Sequence, residues 1–398
     1  MAAQSSVADS GFPELTLEPE VLEIIATLEG AGFETWAVGG AIRDRILEDD
    51  SSDVDLATAA EPPHILRLFN RTVAVGVDHG TVGVLDRRGR LHEVTTFRSD
   101  VETDGRHAVV RFGVSLDEDL ARRDFTINAI AYHPVRREWR DPFGGQQDLR
   151  QRTVRAVGVA ADRFREDYLR ILRALRFAAR FDFVIAPDTW SAAQELAPGL
   201  AGLSAERVRD EWIKGLGSAR NLNRLVQLWR DSGAAATWLP ELSGIPVEDT
   251  GLDRDPVVLT NLLTGAAEKV LRRLKCSNDD ISRGAALDRL PAAPADETAV
   301  SVRQWLRTVG AAADDLGLRA GWQGARVPGW GPVVEGVRAR GEATDRKGLA
   351  ISGADLQALG LPQGPGIGAT LDRLLDAVIE QPKLNTAPLL SDLVRQWR

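Results

Sequence analysis

Two aspartates one residue apart, Asp53 and Asp55, follow a glycine pair, Gly39-Gly40, and Arg43 in the stretch "WAVGGAIRDRILEDDSSDVDL". In an extended strand alternate side chains share a face, so Asp53 and Asp55 project together while Val54 points toward the core. Two carboxylates at one point repel each other unless a cation joins them. Oxygen ligands of this kind suit Mg²⁺, which shares its shell with substrate phosphates. The glycine pair lets backbone approach an anion closely, and the helix that opens there offers free N–H groups, with Arg43 one turn further on. A triphosphate and a metal could then sit side by side. A solvated turn with a capping acid is the other reading of the same residues.

Further groups extend the set. In "LHEVTTFR" the strand period places Leu91, Glu93 and Thr95 on one face, so Glu93 is either an edge acid facing water or a third carboxylate that completes a metal shell or accepts a proton. "DLARRDFTINAIAY" brings Arg123, Asp124 and Asn128 ahead of an apolar run. In "EDYLRILRALRF" helical spacing puts Asp167 and Arg170 three apart, with Arg173 and Arg176 continuing the face. An Asp beside an Arg presents acceptors and donors together, as a base-pairing edge does. A salt-bridge ladder along the helix has the same spacing.

These residues need elements to hold them. Thr35 to Val38 reads as a strand, Ala41 to Leu47 as a short helix, and the acids fall at the start of a second strand. From about Leu15 to Asp148, β-rich runs such as "RTVAVGV", "GTVGVLD", "LHEVTTFR" and "TINAIAYH" alternate with helical patterns, which predicts an α/β domain. Beyond Asp162 the period is helical, and "LPAAPADETA" (Leu290 to Ala299) and "GARVPGWGP" (Gly324 to Pro332) read as connections between helices. With 398 residues, 43% of them hydrophobic, the chain can build two or three cores.

The single Cys276 excludes an internal disulfide framework, and no Cys/His grouping has zinc spacing, which points to a reducing, cytoplasmic setting. "MAAQSSVADSGF" lacks an apolar signal core and reads as a loose tail, and no run approaches the roughly twenty apolar residues of a membrane span. A net charge of −9 says less than its distribution: arginines gather in "VRREWR", "LRQRTVRAVG" and "DRFREDYLRILRALRFAARF", where a polyanion could be met. All histidines lie between His64 and His133, so the later part of the chain has no His-based metal site or general base.

Taken in order, GGAIRD (Gly39 to Asp44), DVD (Asp53 to Asp55), RRDFTINA (Arg122 to Ala129), DPFGGQQDL (Asp141 to Leu149) and EDYLRILRALRF (Glu166 to Phe177) resemble the bacterial, class II CCA-adding tRNA nucleotidyltransferases, which share their core with poly(A) polymerases. The likeness continues through "LSAERVRDEWIKGL" (Leu203 to Leu216) and "ISGADLQALGLPQGPGIG" (Ile351 to Gly368). It implies a polymerase β-like α/β nucleotidyltransferase head over residues 15–150. A helical, nucleotide-selecting neck over 151–240 and an all-α body and tail over 241–398 that binds tRNA would follow.

The resemblance also implies an activity: template-independent addition of C, C and A to the tRNA 3′ acceptor end from CTP and ATP, by two-metal transfer with release of pyrophosphate. Asp53, Asp55 and Glu93 would be catalytic, with Asp53 and Asp55 binding two Mg²⁺ ions. Gly39, Gly40 and Arg43 would hold the triphosphate, Arg123 the nucleotide, Asp124 the ribose hydroxyl, with Asn128 in support. Asp167 and Arg170, with Arg173 and Arg176, would choose the base. Phe97 to Gly113 resembles the family's flexible loop, with Ala108 where Pro is expected, and its near-full length favours an enzyme that adds A. "GVDHGTVGVL" is closer to the CCA type than to the poly(A) type. An A-only or poly(A)-adding enzyme, or a non-catalytic RNA-binding protein on the same fold, are the alternatives, and "LPQGPGIGAT" reads as a helix-helix turn or a phosphate seat.

Overall fold

The computed structural model describes residues 12, 14–48, 53–103, 108–244, 246–324 and 328–397; the N-terminal tail before Phe12 lies outside them. The chain forms two compact units, one ending at Pro240 and one starting at Glu241.

In the first unit α1 (Pro19–Gly30) leads to β1 (Thr35–Val38), α2 (Gly40–Ile46), β2 (Asp55–Thr58) and α3 (Pro62–Leu68). Then come β3 (Thr72–Gly76), β4 (Thr81–Leu85), β5 (Leu91–Thr96), β6 (Arg98–Thr103) and β7 (Ala108–Phe112). Helix α4 (Leu116–Ala121), a 3-10 turn at Thr126–Asn128, β8 (Ala131–His133), β9 (Glu138–Arg140) and α5 (Gly145–Arg150) complete the α/β part.

A seven-stranded mixed sheet has the order β3-β4-β5-β2-β1-β8-β9. β2 is central; β1 beside it is antiparallel to β2 and β8, with Val38 opposite Asp55, while β2 runs parallel to β5. Burial alternates along β5, where His92, Val94 and Thr96 are buried and Leu91, Glu93 and Thr95 face the open side, as the strand period predicts. A core of Trp36, Val38, Ala57, Phe97, Leu116, Leu120, Ala129, Ala131 and Val157 lies against the central strands.

Two expectations change. "TINAIAYH" is not one extended run: Thr126–Asn128 is a 3-10 turn and the strand starts only at Ala131, because Asn128 bonds back to Asp124 and Thr126 bonds across to Asp148 of α5. The segment from Phe97 to Gly113 is a two-stranded hairpin, β6 antiparallel to β7 with Arg98 opposite Phe112, in place of a loop; residues 104–107 lie outside the described ones.

The helical run then begins with α6 (Ala160–Glu166) and α7 (Leu169–Phe181), followed by α8 (Pro187–Leu196), α9 (Ala205–Ser218), α10 (Leu222–Asp231) and α11 (Ala234–Trp238). α7 buries Ile171, Leu172, Ala174, Leu175, Ala178 and Ala179 along one side and carries Arg170, Arg173, Arg176 and Arg180 along another. A small parallel pair, Thr153–Val154 with Val184–Ile185, ties the run to the α/β part.

The second unit is helical: α12 (Pro256–Thr264), α13 (Ala267–Arg273), α14 (Asn278–Arg289), α15 (Ala299–Val309), α16 (Ala313–Trp322), α17 (Gly331–Ala339), α18 (Gly353–Ala358), α19 (Pro365–Glu380) and α20 (Ala387–Gln396). One core gathers Val257, Leu271, Leu287, Val302, Trp305 and Leu316, and another Leu356, Leu374, Leu375, Val378 and Leu390. "LPAAPADETA" joins α14 to α15, and the described part of "GARVPGWGP" lies between α16 and α17. Among the described residues no helix is long and apolar enough to cross a membrane.

The stretch DPFGGQQDL acts as a scaffold. Asp141 accepts from the backbone N–H groups of Gly145 and Gln146 at 2.7 and 2.8 Å, and Asp148 accepts from Thr126 Oγ1 at 2.6 Å, so α5 props the 3-10 turn. At Gly145 a Cβ would stand 2.1 Å from the Thr126 carbonyl oxygen. Gly145→Ala is therefore expected to lower stability by about 1–3 kcal/mol through overpacking, measured by chemical denaturation; an unchanged midpoint would remove α5 as the prop.

Candidate active site

A cavity of about 660 Å³ in the first unit is lined by Gly39, Gly40, Arg43, Asp53, Asp55, Arg123, Asp124, Asn128, Asp167, Arg170, Arg173 and Arg176, together with Asp44, Arg122, Arg180 and Arg207. Of the residues expected from the sequence, Glu93 alone is absent from this lining, although its charge reaches Asp55.

Gly39 caps α2 with φ 74°, a left-handed value that favours glycine, and a Cβ there would sit 2.8 Å from Arg123 Nη1. The turn thus has both a backbone and a space reason for its first glycine. Asp55 begins β2 beside it, Val54 is buried at 3% exposure, and Asp53 and Asp55 both face out, as alternation requires.

Removal of water by the surrounding protein pushes the Asp55 carboxyl up to about 6, the Glu93 and Asp53 carboxylates add to the rise, and Arg123 opposes it. Among the described residues no group of three or more His, Cys, Asp or Glu side chains is drawn together closely enough to hold a metal ion. The donor chemistry nevertheless fits a hard dication, because the accumulated negative charge at Asp55 is what an oxygen-seeking cation neutralises.

Arg43 is 3% exposed, and its donors are committed: Nε to Asp44 Oδ1 at 2.7 Å and Nη1 to Asn128 Oδ1. Its guanidinium lies 5.0 and 4.7 Å from the Phe177 and Phe181 ring centres of α7. Asn128 donates to Asp124 at 2.8 Å, and Asp124 accepts from Arg173 at 2.7 Å and from the Phe125 N–H at 2.8 Å. Burial alone would raise the Asp124 carboxyl, but the Arg173 charge and these hydrogen bonds hold it below its usual range. Arg123 donates to the buried Asp119 at 3.1 Å and to the Asn128 carbonyl at 3.3 Å.

One expectation is corrected here. Asp167 is not on the helix that carries Arg170: it is extended, at φ −154°, between α6 and α7, and its side chain accepts from the Leu169 N–H at 3.0 Å. A short polar side chain that bonds a backbone N–H two residues on breaks the run "EDYLRILRALRF" at this point. Asp167 pairs with Arg207 of α9 at 2.7 Å, and Arg170 pairs with Glu166 at 2.7 Å. Both still line the cavity. Glu211, one turn beyond Arg207 and 4% exposed, accepts from Arg176 at 2.6 Å and stands 3.8 Å from Arg173.

Asp44, Arg180, Arg207 and Glu211 were not picked out from the sequence. Arg180 continues the α7 arginine series and Arg207 and Glu211 are four apart, but their partners lie 136, 40 and 35 residues away. Arginines of the clusters outside α7 are already paired at the surface of the fold. Arg136 pairs with Glu29 and Glu138, Arg137 with Glu14, Arg140 with Asp117, and Arg155 with Asp148.

A mixed sheet with paired acids at a strand start, a glycine turn beside them and an arginine-bearing helix across the cavity is the design of a nucleotidyltransferase head. Residues 35–155 match the family described as the poly A polymerase head domain, and residues 182–245 the one described as the probable RNA and SrmB-binding site of polymerase A. The CCA-adding enzyme of Geobacillus stearothermophilus is 36% identical over 90% of this chain and 92% of its own length. That of Lactiplantibacillus plantarum is 36% identical over 94% of both. The crystal structure of the Bacillus stearothermophilus CCA-adding enzyme in complex with CTP superposes with a TM-score of 0.78 at 32% identity, over 96% of this chain and 99% of that one. The Thermotoga maritima enzyme solved with tRNA, at 18% identity and a TM-score of 0.67 over 98% of each chain, shares the fold. The chain belongs to the family of bacterial CCA-adding enzymes, nucleotidyltransferases that generally use a divalent metal.

Because Asp55 crowds against Asp53 and Glu93, Asp55→Asn is expected to raise the melting temperature of the metal-free protein at neutral pH. Added Mg²⁺ should raise the melting temperature of the wild type and not that of the variant. An equal Mg²⁺ response in both would remove Asp55 from the metal site.

Proposed function

We propose that this chain adds C, C and A to the 3′ end of tRNA from CTP and ATP, without a nucleic-acid template, and that it does so in the cytoplasm. The observation that carries the reading is the single cavity in which the turn at Gly39 and Gly40, the acids Asp53 and Asp55, and the α7 arginines converge. It is supported by whole-length similarity to CCA-adding enzymes, one of them solved with CTP. On this reading residues 15–150 act as the catalytic head, 151–240 as the selecting neck and 241–398 as the tRNA-binding body and tail.

Asp53 and Asp55 would hold two Mg²⁺ ions, which when bound supply activation of the RNA 3′-hydroxyl and neutralisation of the departing pyrophosphate. The chain's own residues do the rest. The glycine turn at Gly39 and Gly40 lets the triphosphate approach backbone, and Arg123 adds positive charge beside it. Asp124 meets the ribose, with Asn128 and Arg173 holding its carboxylate in one orientation. Arg43 fixes that arrangement from beneath, since its donors are already engaged. Asp167 and Arg170 present acceptor and donor groups to the base edge, with Arg173 and Arg176 behind them, so the protein itself discriminates nucleotides.

The deciding experiment supplies tRNA ending before CCA, after C and after CC, each with CTP, ATP or both, and sequences the products. Complete CCA on the first substrate is expected. Addition of A alone to the last substrate, or homopolymeric A, would replace this reading with an A-adding or poly(A) enzyme, and no incorporation would leave an RNA-binding protein. Asp167→Ala should lose the preference for CTP over other nucleotides on the first substrate. Unchanged nucleotide choice would take selection away from that residue.

A further inference from the structure

Asp167 lies between two helices and within neither, so its carboxylate takes its direction from what touches it. Oδ1 accepts from the Leu169 N–H, which fixes that oxygen and leaves the other to swing about it. Oδ2 is held from a different element, because Arg207 Nη2 of α9 donates to it at 2.7 Å. The helix behind this bond is firmly seated. Val208, Trp212 and Leu216 of α9 are buried, and Trp212 meets Trp229 of α10 edge-on with ring centres 5.3 Å apart. Arg170, by contrast, is tied from the other side of the cavity: it donates to Glu166 at 2.7 Å and to the carbonyl oxygens of Arg163 and Arg122 at 3.0 and 3.3 Å.

The neighbouring residue supplies a second hold. A Cβ at Gly199 would stand 2.0 Å from Tyr168 Cε1 and 2.4 Å from Cζ, so the Tyr168 ring fills the place that a side chain at 199 would take. Gly199 belongs to the 3-10 turn Ala197–Gly202, which leads from α8 into α9. Arg207 and Gly199 thus reach the Asp167–Tyr168 pair from one segment of chain, the first on the carboxylate and the second on the adjoining ring. Asp167 and Arg207 both line the cavity, so the carboxylate that this segment directs is open to a ligand there.

A carboxylate held in one direction accepts from the exocyclic amino groups of C and A and repels the carbonyl oxygen that U carries in the same place. A swinging carboxylate loses that contrast, since discrimination needs the acceptor in place before the base arrives. We propose that Arg207 and the seat of Tyr168 on Gly199 are positioning elements that hold Asp167 for base selection, so that nucleotide choice is set from α9 and the turn before it. This rests on the nucleotidyl-transfer reading above, with Asp167 as its selecting acceptor, and names what makes that acceptor selective.

The test is steady-state kinetics of the full chain on a tRNA acceptor minihelix that ends before CCA, with kcat/KM measured for CTP and for UTP. The variants are Arg207→Met, Arg207→Lys and Gly199→Ala, with Arg209→Met, on the same helix but paired with Asp210, for comparison. Arg207→Met should lower the ratio of CTP to UTP about tenfold, because the base meets an acceptor no longer held in place. Arg207→Lys should lower it less, since a cation remains, and Arg209→Met should leave it unchanged. Gly199→Ala should shift the ratio the same way by displacing the Tyr168 ring. In an Asp167→Ala background Arg207→Met should change the ratio no further, because it acts through that carboxylate. A ratio unchanged in Arg207→Met overturns the proposal, and equal losses for CTP and UTP do the same, since a merely structural role weakens both alike. A further fall in the Asp167→Ala background also overturns it, by putting Arg207 itself on the base. A wild type without nucleotidyl transfer would refute the function, and unchanged choice in Asp167→Ala would refute the selecting acceptor. An indifferent Arg207→Met beside a responsive Asp167→Ala refutes only this assignment.

Discussion

Arg43 is a cation with 3% of its surface exposed, and the site is organised around the need to keep it paired. Burial pushes its guanidinium below the ordinary value and Asp44 pulls it back. Removing a partner from such a group leaves a buried charge uncompensated, which costs about 3–5 kcal/mol, so Asp44 and Asn128 are held as firmly as the arginine is. Asn128 in turn fixes Asp124, and Asp124 fixes Arg173. Through the rings of Phe177 and Phe181 the same guanidinium rests on α7. One buried charge therefore sets the spacing between the sheet that carries the acids and the helix that carries the arginines.

The remaining charges follow the same rule of local matching. Arg122 and Arg123 share the buried Asp119, Arg173 and Arg176 share Glu211, and Arg43 and Arg180 share Asp44. Each carboxylate serves two cations, which leaves part of the guanidinium surface turned to the cavity. At Asp55 the loss of water, together with the Glu93 and Asp53 carboxylates, outweighs Arg123, and its carboxyl rises to about 6. An arginine-rich cavity with one over-acidic corner is the field expected of a site that receives a polyanion and a dication together.

The strand, glycine turn, helix and second strand from Thr35 to Thr58 were legible because each rests on short-range rules: a two-residue period, a left-handed glycine and local helix formation. The helical later part was legible from its period, and Glu93 from its place on the open face of β5. What stayed hidden depends on distance along the chain. The partner of Asp167 is 40 residues away, so helical spacing suggested Arg170 and the fold supplied Arg207. The charge of Arg43 was legible, but not its burial between Asn128 and two phenylalanines. The "VRREWR" cluster looked basic because its acids come from Glu14, Glu29 and Asp117.

These pairings bear on how the site can hold a nucleotide and release it. On the proposed reading a triphosphate enters a cavity whose arginines already have carboxylate partners, so its phosphates share or displace those partners instead of meeting bare charge. The gain is then a difference between two sets of ion pairs, which keeps binding moderate even with so many guanidiniums in reach. Asp124 and Asp167 stay where they are during such an exchange because each has a second anchor, the Phe125 N–H for one and the Leu169 N–H for the other. Arginines can therefore move toward phosphate while the two acceptors that would read ribose and base remain fixed, and that asymmetry lets one cavity grip different nucleotides loosely by their phosphates and judge them by their sugars and bases.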